Sequence, residues 1–359
     1  MIPAPPHLGS YAPEDCTFLL NELVGADIEL PTEEREALQR SGAHYSETLP
    51  IEYEPTPEYE ALFESVLARQ AATVARMSTI LAARIVTERH SSPVLVSLAR
   101  AGTPVGVLLR RALRHRHDID VPHYSVSIIR DRGIDQRAVR FLLERHRPEQ
   151  LVFVDGWIGK GVIAAELANA LRAHRAVDPT LAVLADPAAT GSLCATQDDL
   201  LIPSACLNST VSGLISRTVL RPGLSGPDSF HATRVYREFA ERDRSNAYIA
   251  AVTAHFSAER DAADRGVVAA RSLAADRGRG LRAVQRVQRA WKIEDVNHVK
   301  PGVGETTRVL LRRVPQAVLV DPRRRDDVQH ILMLAEQRGV PVHEHEDPVY
   351  ASFGLIAAT

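Results

Sequence analysis

Glycines, an acid and a lysine follow an apolar run in the stretch LVFVDGWIGKGVIAAEL, residues 151–167. Asp155 ends the run, and Gly159 and Gly161 flank Lys160, one of only three lysines among 43 basic residues. A glycine-rich turn between a strand and a helix presents backbone N–H groups at the helix N-terminus, where an anion binds readily. No hydroxyl residue follows the lysine, so the turn is not a P-loop. The stretch predicts a phosphate site, with Asp155 placed for a sugar hydroxyl or a metal-bound water; the alternative is a tight turn with an exposed lysine.

A second strand, turn and helix pattern occurs at SLARAGTPVG, residues 97–106. Arg100 and the backbone around Ala101 and Gly102 offer another anion site; the alternative is a turn with Arg100 on the surface. If the two strands are neighbours in a parallel sheet, both turns lie at the same carboxyl edge. This arrangement predicts a ligand with phosphates at both ends.

The surrounding pattern is that of an α/β protein. A long amphipathic helix is predicted over residues 59–89, and apolar strands at 93–98, 121–129, 151–157 and 180–186 alternate with helices. Such alternation predicts a mainly parallel sheet with helices on both faces, and the last part of the chain restarts the α/β rhythm. The predicted units are an acidic N-terminal lead-in (1–50), a larger domain (51–250), an arginine-rich helical connector (251–290) and a small C-terminal domain (291–359).

Composition excludes several classes of protein. The formal net charge is −2, so any nucleic-acid surface must be local. No apolar run is long enough to span a membrane, and the first residues do not form a secretion signal. We therefore expect a soluble, cytoplasmic protein. The three cysteines Cys16, Cys194 and Cys206 lack zinc or redox spacing.

A thiol nucleophile is a further option. Cys206 with His231, and with Asn208 or Asp228, has the residue types of a dyad or triad. A cysteine in the apolar context PSACL is more often a small buried hydrophobe. His343 and His345 alternate with glutamates, which suggests an edge strand more than a metal site, because two ligands are too few for structural zinc.

The C-terminal motif KPGVGETTRVLLRR, residues 300–313, combines glycines, a helix start and several cations. Such a start forms a nest of N–H groups for phosphate. The alternative is a capped helix with a solvated arginine face.

These motifs carry a resemblance to known families. Residues 151–163 and 97–106 resemble the sugar-phosphate and pyrophosphate loops of type I phosphoribosyltransferases, and residues 300–313 resemble the RNA-gripping loop of pelota-type domains. Over most of its length the chain resembles proteins found with tellurium-resistance genes, which join the two domains. Their N-terminal domain also carries the label cysteine protease StiP.

The resemblance implies roles for individual residues. In the larger domain, the implied catalytic group is Asp155, Lys160, Arg100 and Arg130, and the implied ligand-binding group is Gly102, Thr103, Gly156, Gly159, Gly161 and Arg132. Mg²⁺ would be held mainly through the diphosphate of the ligand, with no metal site made by the protein alone. In the smaller domain, the implied RNA-binding residues are Lys300, Gly302, Gly304, Glu305, Thr306, Thr307, Arg308 and Arg312. Gly156 stands where the family usually has a second acid, and Gly304 where RNA binders place asparagine.

The expected function is therefore transfer at C1′ of phosphoribosyl diphosphate or a related sugar phosphate by a pentosyltransferase. RNA binding by the C-terminal domain would be coupled to it, in a stress-linked nucleoside pathway and in a possible homodimer. The alternatives are a non-catalytic RNA-binding regulator that senses a nucleotide, and a cysteine protease that uses Cys206.

Overall fold

The computed structural model describes residues 1–25, 28–88, 92–221, 223–224, 229–271, 273 and 276–356 of the chain. Asp228, a candidate partner of Cys206, lies outside these residues. The strands are β1 (Thr17–Phe18), β2 (Asn21–Glu22), β3 (Glu29–Leu30), β4 (Leu49–Pro50), β5 (Val94–Ala99), β6 (His123–Ile129), β7 (Gly133–Ile134), β8 (Leu151–Trp157), β9 (Leu181–Ala185), β10 (Leu193–Thr196), β11 (Ala232–Thr233), β12 (Val299–Pro301), β13 (Ala317–Val320), β14 (Val342–Glu344) and β15 (Ser352–Leu355). The helices are α1 (Thr32–Arg40), α2 (Pro57–Glu88), α3 (Gly102–His117), α4 (Gln136–Leu143), α5 (Val162–Ala170), α6 (Ser245–Thr253), α7 (Arg260–Arg271), α8 (Arg279–Ala290), α9 (Val303–Arg312) and α10 (Gln329–Gln337).

The central sheet has the strand order β1-β6-β5-β8-β9-β10, and every pair in this order is parallel. Only β7, which pairs with β6, is antiparallel among the described strands of this sheet. The predicted α/β class with a mainly parallel sheet is confirmed. Because β5 and β8 are direct neighbours, the two glycine-containing turns that follow them lie at the same carboxyl edge.

Alternation along β8 explains why helices cover both faces of the sheet. Val152 and Val154 pack in one apolar cluster with α2 and α3, whereas Leu151 and Phe153 pack in another with α4 and α5. Successive side chains of a strand point to opposite faces, so a strand that is apolar throughout must be buried on both.

The acidic first fifty residues pack onto the larger domain. β1 extends the central sheet beyond β6, and β2 pairs with β11. Tyr11, Phe18, Leu19 and Leu20 are buried. The buried apolar residues of this segment thus anchor it to the larger domain, despite its acidic composition.

The C-terminal region forms a sheet of order β12-β15-β13-β14, with β13 and β14 parallel and the other pairs antiparallel. Helix α9 packs on this sheet and on α10. The edge strand β14 carries His343, as the alternating sequence suggested.

Asp199 of the larger domain docks the amino end of α9. Its two carboxylate oxygens accept the backbone N–H of Val303 at 3.2 and 3.1 Å, and Oδ2 also accepts the N–H of Ala351 at 2.9 Å. The side chain is buried, and burial raises its pKa to about 6. The first N–H groups of a helix have no partner within the helix, so this carboxylate satisfies one of them across the domain boundary.

Substitution of Asp199 by alanine should loosen this docking. It would leave the buried N–H groups of Val303 and Ala351 without an acceptor, which costs about 1–3 kcal/mol each. We expect a lower free energy of unfolding in urea and faster proteolysis between the domains. The matched control is Asp198→Ala, at an exposed neighbour. Equal stability of the two variants would contradict the docking role of Asp199.

Candidate functional site

A cavity of about 140 Å³ lies at the carboxyl edge of the central sheet, where α9 of the smaller domain meets the larger domain. We refer to it as the anion cavity. Its lining includes four arginines but only one carboxylate, and the polar or charged side chains among its lining residues are Tyr45, Arg100, Asp155, Arg217, Thr218, Arg308 and Arg312.

Arg100 and Arg217 enter the anion cavity from the larger domain. Arg100 pairs with Glu52 at 3.2 Å and donates to the carbonyl of Ile215 at 3.1 Å. Arg217 donates to the carbonyls of Tyr45 and Thr48, which are neutral acceptors. Burial, together with repulsion from neighbouring arginines, lowers the pKa of Arg217 to about 9. Among the described residues, Arg100 therefore has a carboxylate partner and Arg217 does not.

Arg308 and Arg312 come from α9 and so belong to the smaller domain. Arg308 pairs with Glu305 at 2.9 Å and lies 4.3 Å from the centre of the Trp157 ring. Burial and the nearby arginines hold the pKa of Arg312 well below its usual value. Within the described residues, the buried Nε atoms of Arg312 and Arg217 have no hydrogen-bond partner.

Asp155 lies near the carboxyl end of β8, in the wall of the anion cavity. It is 8% exposed, and Oδ1 accepts the N–H of Gly156 at 2.8 Å. Burial raises its pKa to about 6, even though Arg308 acts in the opposite direction. A carboxyl group with this pKa changes its charge close to neutral pH, unlike an exposed aspartate.

The glycine turn after β8 borders a second cavity of about 70 Å³, which we call the boundary cavity. It shares Asp155, Ile163 and Arg308 with the anion cavity, and Arg130 and Lys160 also line it. The two cavities are therefore adjacent, and we refer to them together as the groove between the domains.

Lys160 contacts the smaller domain directly. Its Nζ donates to the carbonyls of Val296 at 2.8 Å and Val299 at 3.1 Å. Burial, and repulsion from Lys300, lower its pKa to about 8. The lysine that the sequence singles out as a phosphate ligand thus joins the two domains in this structure.

The glycines of the turn permit close approach. A Cβ at Gly159 would lie 2.9 Å from Cγ of Glu305, and the carbonyl of Gly159 accepts the hydroxyl of Tyr350 at 2.6 Å. Gly161 has φ of +88°, a region that favours glycine. Gly156 follows Asp155 in the same strand.

The other predicted ligand residues of the larger domain are divided between interior and surface. Gly102 packs so tightly on β8 that a Cβ would lie 2.4 Å from the carbonyl oxygen of Val154. Thr103 is buried, with its hydroxyl 2.7 Å from that of Ser125. Arg130 and Arg132 are exposed, and only Arg130 lines the groove.

The predicted RNA-binding loop is packed against the larger domain. Thr306 and Thr307 are 0% exposed, and the Thr307 hydroxyl lies 2.7 Å from Nε2 of His330. A Cβ at Gly302 would lie 2.9 Å from Asp199, and one at Gly304 would lie 2.1 Å from the Trp157 ring. Of the predicted RNA-binding residues, Arg312 lines the anion cavity, Glu305 lines the boundary cavity, and Arg308 lines both.

Sequence reasoning missed Tyr45 and Arg217. Both are far in sequence from the two glycine turns, and Arg217 belongs to the polar stretch 186–221, which reads as loop. The run of polar residues there was unusually long for a connection, and this was the one available signal.

The three thiols are all buried and free. Burial raises the pKa of Cys206 to about 12 and that of Cys16 well above its usual value. Burial, followed by the charge of Asp186, raises the pKa of Cys194 to about 11. His231, the candidate base for Cys206, instead places Nδ1 2.8 Å from the hydroxyl of Ser127.

The described part of the chain offers neither a cluster of metal-binding side chains nor a helix that could span a membrane. No group of three or more His, Cys, Asp or Glu side chains is placed to hold a metal ion there. No helix there is long and apolar enough to cross a membrane. Mg²⁺ carried by a ligand stays a prediction.

The fold and the groove define a two-domain α/β protein whose domain boundary is lined with arginine. Residues 9–253 match the family described as tellurite-like stress resistance cysteine protease StiP, and residues 278–358 match the PELOTA RNA binding domain. The chain is 35% identical over 363 residues to a protein of Acinetobacter baylyi named "Cysteine protease StiP", covering 97% of this chain and 94% of that protein. The chain belongs to the StiP family and carries a C-terminal pelota domain.

These comparisons correct the expected activity. The family description and the name of the relative both specify a cysteine protease, and neither names a phosphoribosyltransferase. The expectation of a pentosyltransferase acting on phosphoribosyl diphosphate is therefore wrong. The expected tellurium-linked family and the pelota domain are confirmed.

Proposed function

We propose that the two domains together bind a phosphate-bearing anion in the anion cavity. The observation that carries the proposal is the pair of buried Nε atoms, on Arg217 and Arg312, that have no hydrogen-bond partner within the described residues. Each belongs to a different domain, so an anion between them would be held by both.

The energetics favour an anion at this position. A buried cation without a partner costs several kcal/mol, and its pKa falls as a result. The lowered pKa values of Arg217 and Arg312 express this cost. A phosphate group offers several acceptor oxygens, and its charge-assisted hydrogen bonds to guanidinium are among the strongest in proteins.

Contacts within the cavity leave these two arginines available. Arg100 and Arg308 are already paired with Glu52 and Glu305. No carboxylate pairs with Arg217 or Arg312 within the described residues. The ligand class that fits is therefore a small compound with one or two phosphate groups, and RNA association is the activity that the description of the pelota domain adds.

Replacement of either available arginine should abolish this binding. For wild-type protein we expect calorimetric binding of inorganic pyrophosphate, weakened at least about tenfold by Arg217→Gln or Arg312→Gln, because each removes charge-assisted hydrogen bonds. Arg172→Gln, an exposed arginine after α5, is the control. Undiminished binding by both variants, or no binding by folded wild-type protein, would refute the anion site.

The raised pKa of Asp155, about 6, gives this binding a pH dependence. Above pH 6 the ionised carboxylate repels an anion in the same cavity, and below pH 6 the neutral carboxyl does not. Sulfate keeps its charge over this range, so its affinity should rise roughly tenfold between pH 7.5 and pH 5.

Asp155→Asn should bind sulfate tightly at both pH values, since the amide is neutral throughout. This variant distinguishes a pH dependence caused by Asp155 from one caused by His44, whose pKa is lowered by burial. A pH dependence that persists unchanged in Asp155→Asn would assign the effect to another group.

Peptide hydrolysis is a second candidate function, and the name of the family favours it. Of the three thiols, Cys194 is our candidate nucleophile because it lines a cavity of about 120 Å³, together with Asp186 and Ser192. The described residues that line this cavity include no histidine. A thiol protease needs a thiolate and a neighbouring base. Hydrolysis would therefore require a conformation that brings a base next to the Cys194 thiol.

Single alanine substitutions test this assignment. Cys194→Ala should abolish cleavage of an unfolded casein substrate, whereas Cys16→Ala and Cys206→Ala should retain it. Iodoacetamide should modify Cys194 of the native protein slowly, since the thiolate is scarce at neutral pH when the pKa is about 11. If cleavage survives Cys194→Ala but is lost on substitution of another cysteine, that other cysteine is the nucleophile.

A further inference from the structure

Four further cations lie near the groove: Arg35, Arg130, Lys300 and Arg313. We call them the cationic tract. None of them forms an ion pair with a carboxylate within the described residues. Arg35 is 4% exposed, and its buried Nε has no hydrogen-bond partner within the described residues.

Three members of the tract are placed beside the groove by their neighbours in the chain or by its lining. Arg130 lines the boundary cavity, Lys300 precedes Pro301 of the same cavity, and Arg313 follows Arg312 of the anion cavity. Mutual repulsion among these cations agrees with this placement. Burial and then Arg313 lower the pKa of Arg35 to about 10. Burial and then Arg130 lower the pKa of Lys300 to about 8, and Arg313 acts in the same direction. Glu305 and Asp295 act on Lys300 with the opposite sign but do not cancel the effect.

The tract is joined to the groove at both of its cavities. Arg35 and Arg313 both lower the pKa of Arg217, which lines the anion cavity. Arg130 lines the boundary cavity beside Arg308. Positive charge therefore extends beyond the space that a single phosphate would fill.

The pelota domain indicates which polyanion fits. The loop expected to grip RNA is packed against the larger domain, with Gly302 on Asp199 and Gly304 on Trp157. Arg308 and Arg312 of the same motif line the groove. In this arrangement, RNA that uses the cations of this motif has to enter the groove between the domains.

We propose that the groove receives the phosphorylated end of an RNA strand, with the terminal phosphate between Arg217 and Arg312 and the following backbone phosphates along the cationic tract. This inference rests on the proposed anion site and names its ligand. A terminal phosphate carries more charge than an internal phosphodiester and exposes more acceptor oxygens. Two enclosed guanidinium groups that have no carboxylate partner within the described residues select for such an end, whereas the tract contributes affinity that does not depend on base sequence.

The test compares three forms of a short, unstructured RNA: one with a hydroxyl at both ends, one with a 5′-phosphate and one with a 3′-phosphate. Binding is measured by fluorescence anisotropy with an internal label. For wild-type protein we expect one phosphorylated form to bind at least about tenfold more tightly than the hydroxyl form. Arg217→Gln should reduce this preference to about onefold. Arg217→Lys, which keeps the charge, should retain part of it.

Variants in the tract separate end recognition from general affinity. Lys300→Gln and Arg130→Gln should weaken all three RNAs to a similar extent and lower the slope of log affinity against log salt concentration by about one unit each. Their affinity for pyrophosphate should stay within about twofold of wild type. Arg172→Gln should change neither measurement.

Several outcomes would overturn the inference: equal binding of the three RNAs by wild-type protein, an end preference that persists in Arg217→Gln, or competition with pyrophosphate by a phosphopeptide but not by RNA. If pyrophosphate binds through Arg217 and Arg312 while the RNA ends are not distinguished, only the RNA inference fails. If folded wild-type protein binds no pyrophosphate, the anion site itself fails.

Discussion

The carboxylate of Asp199 holds α9 against the larger domain, and the groove depends on this contact. The amino end of a helix presents free N–H groups and partial positive charge, so it commonly binds a phosphate. Here a buried carboxylate from the other domain accepts the N–H of Val303. The helix is thereby fixed with Arg308 and Arg312 in the wall of the anion cavity. Because Asp199 occupies the helix end, the positive charge that faces the cavity is that of these two side chains.

The same docking changes the meaning of two residues that the sequence singles out. The resemblance to RNA-gripping loops implies an asparagine at the position of Gly304, which suggests a lost base contact. In the structure Gly304 allows Trp157 to approach, since a Cβ would lie 2.1 Å from the ring. Lys160, which the sequence predicts as a phosphate ligand, donates to two carbonyls of the smaller domain. Both residues serve the packing of one domain on the other.

The sequence predicted the mainly parallel sheet, and the two glycine turns that it placed at the carboxyl edge do lie there, because both features follow from local patterns. Apolar strands followed by glycine turns specify a parallel sheet, and β5 and β8 are neighbours as the predicted site requires. The partners of the side chains at that edge depend on tertiary contacts between distant segments. Arg217 reaches the cavity from a loop and Tyr45 from a single 3₁₀ turn, neither with a recognisable motif, and Asp199 lies in a stretch without regular structure. The chemistry was wrong for a related reason: strand and loop patterns are shared among enzymes with different reactions, and function belongs to the site.

Arginine burial links ligand binding to domain docking. The chain is nearly neutral, with a net charge of −2, yet Arg100, Arg217, Arg308 and Arg312 meet in one cavity. Two of them come from each domain, so docking brings like charges together, at a cost that Asp199, Lys160 and the packing of Trp157 must offset. An anion between Arg217 and Arg312 removes part of this repulsion only while the domains are docked. By linkage, such an anion stabilises the docked arrangement, and separation of the domains weakens the affinity for the anion by the same factor.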